Sequence, residues 1–161
     1  RRHFFAATGA AVLTTGTNAS ARVAARLSNE DFSYEVNRTD EEWRAMLAGD
    51  EYAILREGFT EQPKSSPLWD EARDGTYHCK GCDLPVYSSK HKFDSKTGWP
   101  SFWQPLPGAV GTKPDRKLLR VRTEVHCRRC GSHLGHVFDD GPQPTGKRHC
   151  LNGISLVFKA A

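Results

Sequence analysis

The chain has 161 residues, of which 37% are hydrophobic, 14 are glycine and nine are proline, so it fits one loop-rich domain with extensions rather than a fibrous or disordered chain. Its formal net charge is +4, but residues 1–29 hold four of the 23 basic residues and no acid, which leaves 19 basic against 19 acidic residues in the remainder. A nucleic-acid-binding surface needs a clustered excess of Lys and Arg to release counterions from phosphates, so this composition argues against one.

Residues 1–29 have the composition of a targeting segment. Arg1 and Arg2 precede a mildly apolar stretch that ends at Leu13, and the small residues Ala19-Ser20-Ala21 follow. This order is typical of a twin-arginine export signal, which predicts cleavage after Ala21 and delivery to the periplasm. An organellar transit peptide, or a tail on a cytoplasmic protein, is the alternative. The apolar stretch is too short to span a bilayer, so we expect no membrane insertion.

Two short helices are predicted before residue 58. The segment 39–42 (TDEE) is a capping box, which indicates a helix start. Gly49 is expected to end this helix, and a second short helix should cover residues 51–56. The Pro-, Ser- and Gly-rich residues 58–74 predict a long loop. One face of the first helix is expected to be apolar, with Trp43, Met46 and Leu47.

The remainder of the chain has strand signals. Apolar residues alternate with polar ones along 119–126 and 154–158, the period of a half-buried strand. Further strand signals lie at 76–78, 85–87 and 134–138. The sequence therefore predicts a mainly β, antiparallel domain with small helices in front of it.

Four of the five cysteines form two C-x-x-C turns, Cys79 with Cys82 and Cys127 with Cys130. Zinc binds four thiolates tetrahedrally, and a gap of two residues lets both sulfurs of a turn face one ion. We therefore predict one structural zinc ion that ties two hairpins together. The alternative is a redox-active disulfide within each turn, because an exported protein meets an oxidising compartment.

Cys150 is left over by this count and is a candidate nucleophile. The thiolate is the reactive form of cysteine, and Arg148 and His149 are expected to lower the pKa of this thiol as adjacent cations do. A lone cysteine can equally be a small buried hydrophobic residue. His133 and His136 leave similar alternatives open, since they could be ordinary strand residues or an H-x-x-H metal pair.

Long segments elsewhere in the chain carry a resemblance to a known family. Together with both C-x-x-C turns, they make residues 38–158 similar to the B-type methionine sulfoxide reductases through KFDS, GWPSF, HLGHVF, DGPQPTG and RHCLN. The resemblance implies two antiparallel β sheets with short N-terminal helices and a structural four-cysteine zinc site. It also implies reduction of the R epimer of methionine sulfoxide, in oxidised proteins or peptides or as the free amino acid.

The resemblance assigns catalytic roles to four residues. A sulfoxide is a poor electrophile until its oxygen is protonated, so a thiolate must meet the sulfur while an acid donates to the oxygen. Cys150 would be the thiolate and His136 the acid. Asp140 would hold the protonated form of His136, and His133 would hydrogen-bond nearby.

Four further residues would shape the pocket. Arg148 and Asn152 would organise the cysteine and the polar end of the substrate. Trp99 would hold the substrate methyl group against its ring, with Phe138 as a possible wall. Large aromatic side chains more often fill interiors, and Phe102 is expected to do so.

The chain departs from the family at two positions. Many members carry a resolving cysteine just before GWPSF, where this chain has Lys96-Thr97. The sulfenic acid formed at Cys150 should therefore be reduced directly by thioredoxin or another external dithiol, unless one of the other four cysteines lacks metal and serves instead. His149 stands where the family usually has tyrosine. We expect a monomer.

Two rival functions come from other classes. The first is a zinc-ribbon binding module, in which Cys150 only packs. The second is a thiol-disulfide exchanger that uses its C-x-x-C turns, although no βαβ pattern surrounds them. Replacing Cys150 with serine discriminates, because only a reductase would lose activity while it kept its metal and fold.

Overall fold

The computed structural model describes residues 33–161. The predicted leader over residues 1–29, with its cleavage site after Ala21, lies outside these residues. Within the described part, no helix has both the length and the apolar character needed to cross a membrane.

Two short helices come first, α1 (Asp40–Met46) and α2 (Gly49–Glu57). The predicted capping box is present: the Glu42 backbone N–H donates to Thr39 Oγ1 at 3.2 Å, and the Thr39 N–H donates to Glu42 Oε2 at 2.8 Å. These bonds satisfy two N–H groups that the first turn of a helix leaves without intrahelical partners.

Two details of the helix prediction are wrong. Met46 is 52% exposed, whereas Trp43 and Leu47 are buried, so the apolar face is narrower than the spacing indicates. Gly49 begins α2 instead of ending α1, because the extended backbone of Leu47 already terminates α1. The two helices are thus joined directly, and α2 packs against a strand of the larger sheet.

Strands in the described residues form two antiparallel sheets, as predicted. The smaller sheet has the order β2-β1-β9 and the larger has the order β3-β4-β8-β7-β6-β5. The strands are β1 (Gly75–Cys79), β2 (Pro85–Ser88), β3 (Lys92–Phe93), β4 (Ser101–Phe102), β5 (Val110–Asp115), β6 (Arg122–Cys127), β7 (His133–Phe138), β8 (Arg148–Leu151) and β9 (Leu156–Ala160).

The predicted strand over 119–126 is only half correct. Leu119 is 110% exposed and Val121 is 62% exposed, and β6 begins only at Arg122. Residues 116–121 are instead the turn between β5 and β6, so their alternation of apolar and polar residues has no buried face to match. Ile154 likewise belongs to a 3₁₀ turn, Gly153–Ser155, that precedes β9. The strands predicted at 76–78, 85–87 and 134–138 are confirmed.

Aromatic side chains fill the space between the sheets. Tyr77, Tyr87 and Phe102 are fully buried. The Phe102 ring centroid lies 4.9 Å from that of Tyr77 and 4.7 Å from that of Tyr87, which joins the smaller sheet to β4. Offset and edge-on ring contacts at these distances add to the gain from apolar burial. The prediction that Phe102 is a core residue is confirmed.

Candidate active site

The four C-x-x-C sulfurs converge at one point. Their Sγ atoms all lie within 4.8 Å of one another, with Cys79 3.7 Å from Cys130 and Cys82 3.5 Å from Cys127. Four thiolates bound to one zinc ion lie about 3.8 Å apart, whereas a disulfide would bring two sulfurs to about 2.05 Å. The donor set therefore fits a single metal ion, and among residues 33–161 it is the one group of three or more ligands close enough to hold one.

The position of this sulfur cluster gives it a structural role. Cys79 ends β1 of the smaller sheet and Cys127 ends β6 of the larger one, so one ion would join the two sheets. The Cys130 carbonyl accepts a hydrogen bond from Arg56 Nη1 at 3.1 Å, which ties α2 to the same point. Four protein ligands leave no open position for a substrate.

Cys150 lies at the centre of a row of side chains that crosses the larger sheet. It is the register partner of Ser101 on one side and of His136 on the other, and His136 is in turn opposite Glu124. Directly opposed residues point to the same face, with Cβ atoms about 4.5–5.5 Å apart. The thiol and the imidazole are therefore immediate neighbours, although 14 residues separate them in the chain.

Gly135 allows these two strands to approach closely. A Cβ added at Gly135 would lie 2.0 Å from the Cys150 carbonyl oxygen and 2.9 Å from Leu151 Cα. Neither contact is possible for a real side chain, so β7 packs against β8 only because residue 135 has none. The central glycine of the HLGHVF segment thus sets the separation of His136 and Cys150.

Each histidine of the site is held by its own carboxylate. His136 Nε2 lies 2.7 Å from Asp115 Oδ2, and His133 Nδ1 lies 3.0 Å from Glu124 Oε1. The two rings meet edge to face with their centroids 5.2 Å apart. The buried His133 Nε2 has no hydrogen-bond partner among the described residues. Because the histidines bind different carboxylates, the H-x-x-H metal pair gains no support.

The partner predicted for His136 is wrong. Asp140 is exposed and binds Arg148 instead, with Oδ1 and Oδ2 at 2.9 and 2.8 Å from the guanidinium nitrogens. Asp115 takes the predicted role, and it also accepts from Arg122 at 2.7 Å. Burial alone would raise the pKa of Asp115, but hydrogen bonds from the Lys117 backbone N–H, His136 and Arg122 hold that pKa far below its usual range.

The bidentate pair with Asp140 fixes Arg148 beside the thiol. Its guanidinium lies 4.6 Å from the centre of the Phe138 ring, and its positive charge lowers the pKa of the Cys150 thiol. Phe138 is the register partner of Arg148, which places both side chains on the same face as the row, two residues further along β7 and β8. Arg148 therefore occupies the position predicted for it, with Phe138 as its neighbour.

Hydroxyl groups line the other side of Cys150. Hydrogen bonding from Thr97 and Ser101 lowers the pKa of the Cys150 thiol. Ser95 Oγ joins these hydroxyls, at 2.8 Å from Thr97 Oγ1 and 2.7 Å from Ser101 Oγ. Thr97 belongs to the Lys96-Thr97 segment, so a hydroxyl of this segment lies beside Cys150.

The pKa of Cys150 departs from the sequence prediction. Burial raises the pKa of this thiol, and the charge of Arg148 and the hydrogen bonds of Thr97 and Ser101 only partly oppose that effect. His149 does not assist, because successive strand residues point to opposite faces. Its ring is buried against Tyr87, with Nδ1 3.0 Å from Tyr87 Oη, and burial lowers the pKa of His149 to about 4.

Trp99 is held at the edge of the site by a neighbouring loop. Its indole Nε1–H donates to the Glu61 carbonyl at 3.2 Å. Asn152 is buried and binds backbone only: Oδ1 accepts from the Glu61 N–H at 3.0 Å, and Nδ2 donates to the Leu134 carbonyl at 3.3 Å. Asn152 therefore positions the loop that carries the partner of Trp99, and its amide is not directed at the cysteine.

Sequence analysis missed three acidic residues. Asp115 and Glu124 orient the histidines, and the Glu61 carboxylate accepts from the Gly153 and Ile154 N–H groups at 2.6 and 3.1 Å. The alternation along β6 does place Glu124 on the face opposite Val125. No motif contains Asp115 or Glu61, because each acts on residues far from it in the chain.

Comparison with known proteins places this geometry in a family. The sequence profile of the SelR domain matches residues 47–160. Proteins named peptide methionine sulfoxide reductase MsrB are similar over most of their length. The one from Agrobacterium fabrum is 49% identical over 128 residues, which cover 79% of this chain and 95% of that protein. The one from Thioalkalivibrio sulfidiphilus is 52% identical over 124 residues, covering 76% and 90%.

Proposed function

Because the chain belongs to the SelR-domain family of B-type peptide methionine sulfoxide reductases, it reduces the R epimer of methionine sulfoxide, and we propose that Cys150 is the nucleophile. The observation that carries this assignment is the cross-strand pairing of Cys150 with His136. A thiol next to an imidazole that a carboxylate orients is the arrangement that nucleophilic catalysis requires. The reaction repairs methionine residues that have been oxidised in proteins.

The pKa values of the pair suggest how the proton moves. Burial raises the pKa of Cys150 and also lowers the pKa of His136, against the opposing bond to Asp115, so the resting pair is a neutral thiol and a neutral imidazole. His136 accepts the thiol proton, and Asp115 stabilises the imidazolium that forms. The same proton then passes to the sulfoxide oxygen while the thiolate attacks the sulfur. His133, held by Glu124 and packed edge to face against the His136 ring, would keep that imidazole in place.

The atoms and electrons of this first half-reaction balance between the Cys150 thiol and the sulfoxide, without a cofactor. Thiol and sulfoxide yield a sulfenic acid at Cys150 and methionine, so the substrate sulfur gains two electrons and the cysteine sulfur loses them. Trp99 and Phe138 would bind the methyl group, and Arg148 would hold the reacting sulfur and oxygen in place. Two thiols from thioredoxin or another external dithiol then return Cys150 to the thiol, with release of water and a disulfide.

We assign zinc to the four-cysteine cluster. Cys79, Cys82, Cys127 and Cys130 would hold the ion, and the separations of their sulfurs support this choice. The metal has a structural role and supplies no chemistry to the sulfoxide. Its contribution is to join the two sheets whose strands carry the site.

The test of the proposed function is an assay with both epimers of a blocked methionine sulfoxide and dithiothreitol as the reductant. The wild-type protein should reduce the R epimer, and Cys150→Ser should lose activity by on the order of a thousandfold or more while it retains its metal and its melting temperature. Activity that survives in Cys150→Ser would overturn the assignment of the nucleophile.

The domain boundaries and the location of the protein remain proposals from the sequence. We propose residues 38–158 as the reductase unit, although β9 continues to Ala160, and residues 1–29 as a twin-arginine leader that delivers the domain already folded to the periplasm. Cell fractionation should find the protein in the periplasm, and replacing Arg1 and Arg2 with lysine should abolish this. Retention in the cytoplasm, or import into an organelle, would contradict the proposal.

A further inference from the structure

The turn between β5 and β6 exposes an unusual number of large apolar side chains. This segment, residues 116–121, is called the hairpin tip here. Leu118 is 59% exposed, Leu119 is 110% exposed and Val121 is 62% exposed. Large apolar side chains grouped in one exposed segment are a common mark of an interaction site.

The hairpin tip is also strongly basic. Arg116, Lys117 and Arg120 are all exposed, and residues 116–121 contain no acid. None of these three cations takes part in an ion pair in the part of the chain that the structure describes; Lys117 Nζ instead donates to the Glu57 backbone carbonyl at 2.5 Å. Outside residues 1–29 the acidic and basic residues are equal in number, so this is a local excess of positive charge and favours a partner that carries acidic groups.

The hairpin tip is anchored beside the reacting groups. It starts directly after Asp115, which binds His136 Nε2 at 2.7 Å and accepts from the Lys117 backbone N–H at 3.0 Å. It ends at Arg122, the register partner of Asp115. The pairing of Thr123 with Val137 places this turn at the end of the sheet that also carries Phe138. A chain whose oxidised methionine enters the site would therefore pass close to the tip.

We propose that the hairpin tip docks the polypeptide that carries the methionine sulfoxide, and that it favours substrates with apolar and acidic residues next to the oxidised methionine. The inference rests on the proposed function. Each residue of an extended peptide advances about 3.3 Å, so the residues nearest the oxidised methionine are the ones that reach the tip. The leucines would contact apolar side chains of the substrate, and Arg116 and Arg120 would pair with its carboxylates.

The experiment compares three substrates with dithiothreitol as the only reductant, so that no protein reductant takes part. They are a blocked methionine-R-sulfoxide, a peptide with Asp and Leu next to the oxidised residue, and a peptide of equal length with Lys and Ser there. The wild-type protein should favour the acidic peptide about tenfold in kcat/KM at low salt, through KM, and the preference should shrink at high salt because exposed charges are screened.

Two tip variants and one control locate the effect. Arg116→Glu with Arg120→Glu should reverse the preference between the peptides, and Leu118→Ser with Leu119→Ser should raise KM for the acidic peptide about fivefold. Lys90→Glu is the matched control, because Lys90 is exposed and lies next to β3, at the opposite edge of the larger sheet. All variants should turn over the blocked residue as the wild type does.

The outcomes separate this inference from the proposed function. If the wild-type protein fails to reduce the blocked residue, the proposed function itself fails. If the blocked residue is reduced but the wild type and the tip variants treat the two peptides alike, the docking role is overturned. It is also overturned if the tip variants are defective only when thioredoxin replaces dithiothreitol, since the surface would then serve the reductant.

Discussion

The same residue type serves two opposite purposes in this protein, and the surroundings decide which. In the four-cysteine cluster, each sulfur has three others within 4.8 Å, and the arrangement favours a bound ion that excludes further chemistry. Cys150 lies on the larger sheet alone, among Thr97, Ser101 and His136, and we propose that its sulfur meets a substrate there. The groups that surround each sulfur thus decide whether a cysteine is structural or reactive. Substitutions in each of the two regions test this difference.

The largest effect should come from the same substitution made in the two regions. Cys127→Ser removes one of the four metal ligands, so the protein should lose its zinc and on the order of 5 kcal/mol in the free energy of unfolding. Cys150→Ser should leave both quantities unchanged. Metal analysis and urea titration of the two variants measure this contrast. Equal stability for the two would mean that the cluster does not brace the fold.

The next largest effect concerns the carboxylate behind His136. Asp115→Asn removes the group that stabilises the imidazolium, so kcat should fall by about 10- to 100-fold. Because the bond to Asp115 raises the pKa of His136, its loss should also move the acid limb of the pH profile of kcat/KM to lower pH.

Asp140→Asn is the matched control for that prediction. Asp140 binds Arg148 and not His136, so this variant should leave the acid limb where it is. A shift of the limb in Asp140→Asn, with none in Asp115→Asn, would restore the partner that the sequence predicted and refute the one in the structure.

A third prediction adds a thiol to the reactive region. Thr97 is close enough to Cys150 for hydrogen bonding to lower the pKa of that thiol, so Thr97→Cys would place a second sulfur beside the reacting one. After one turnover this variant should form an intramolecular disulfide in place of a lasting sulfenic acid, which mass spectrometry detects as the loss of two hydrogens. Thr97→Ser keeps the hydroxyl and should behave as the wild type. The absence of a disulfide in Thr97→Cys would place the hydroxyl segment farther from Cys150 than its hydrogen bond indicates.

A fourth prediction concerns the stability of the fold and His149, which lies on the opposite face of β8. Burial lowers the pKa of His149 from its ordinary value of 6.5 to about 4. Between these two pH values, the imidazole is protonated in the unfolded state and neutral in the folded state. Stability should therefore fall by about 3 kcal/mol as the pH decreases from 7 to 4 because of this residue alone. His149→Tyr, the usual family residue, should flatten the curve obtained from denaturant titrations in that range. An unchanged curve would show that His149 is already protonated in the folded protein.

The secondary structure could be predicted from the sequence wherever the local pattern matches the way the residues are buried in the folded protein. The capping box at Thr39 and the strands at 76–78 and 134–138 are encoded within a few residues. The alternation at Leu119 and Val121 has the same local form, but no element packs against it, and both residues are exposed. The periodicity of apolar residues in a sequence does not show whether another element of the fold packs against them.

The functional site could likewise be predicted only where its signals are local in the sequence. The assignment of four cysteines to a metal site and of Cys150 to catalysis could be predicted, because the spacing within each C-x-x-C turn is local. The partner of His136 could not, because Asp115 is 21 residues away and reaches it only through the pairing of β5, β6 and β7. The pKa of Cys150 was also predicted in the wrong direction, since adjacent cations are visible in a sequence and burial is not.

The most direct test of the division between the cysteines is a single turnover with a methionine-R-sulfoxide, a sulfenic-acid trap and mapping of every cysteine by mass spectrometry. The account predicts one trapped adduct, at Cys150, with one zinc ion per chain retained and Cys79, Cys82, Cys127 and Cys130 unmodified. An adduct or a disulfide on any of those four, with Cys150 still a thiol, would contradict it.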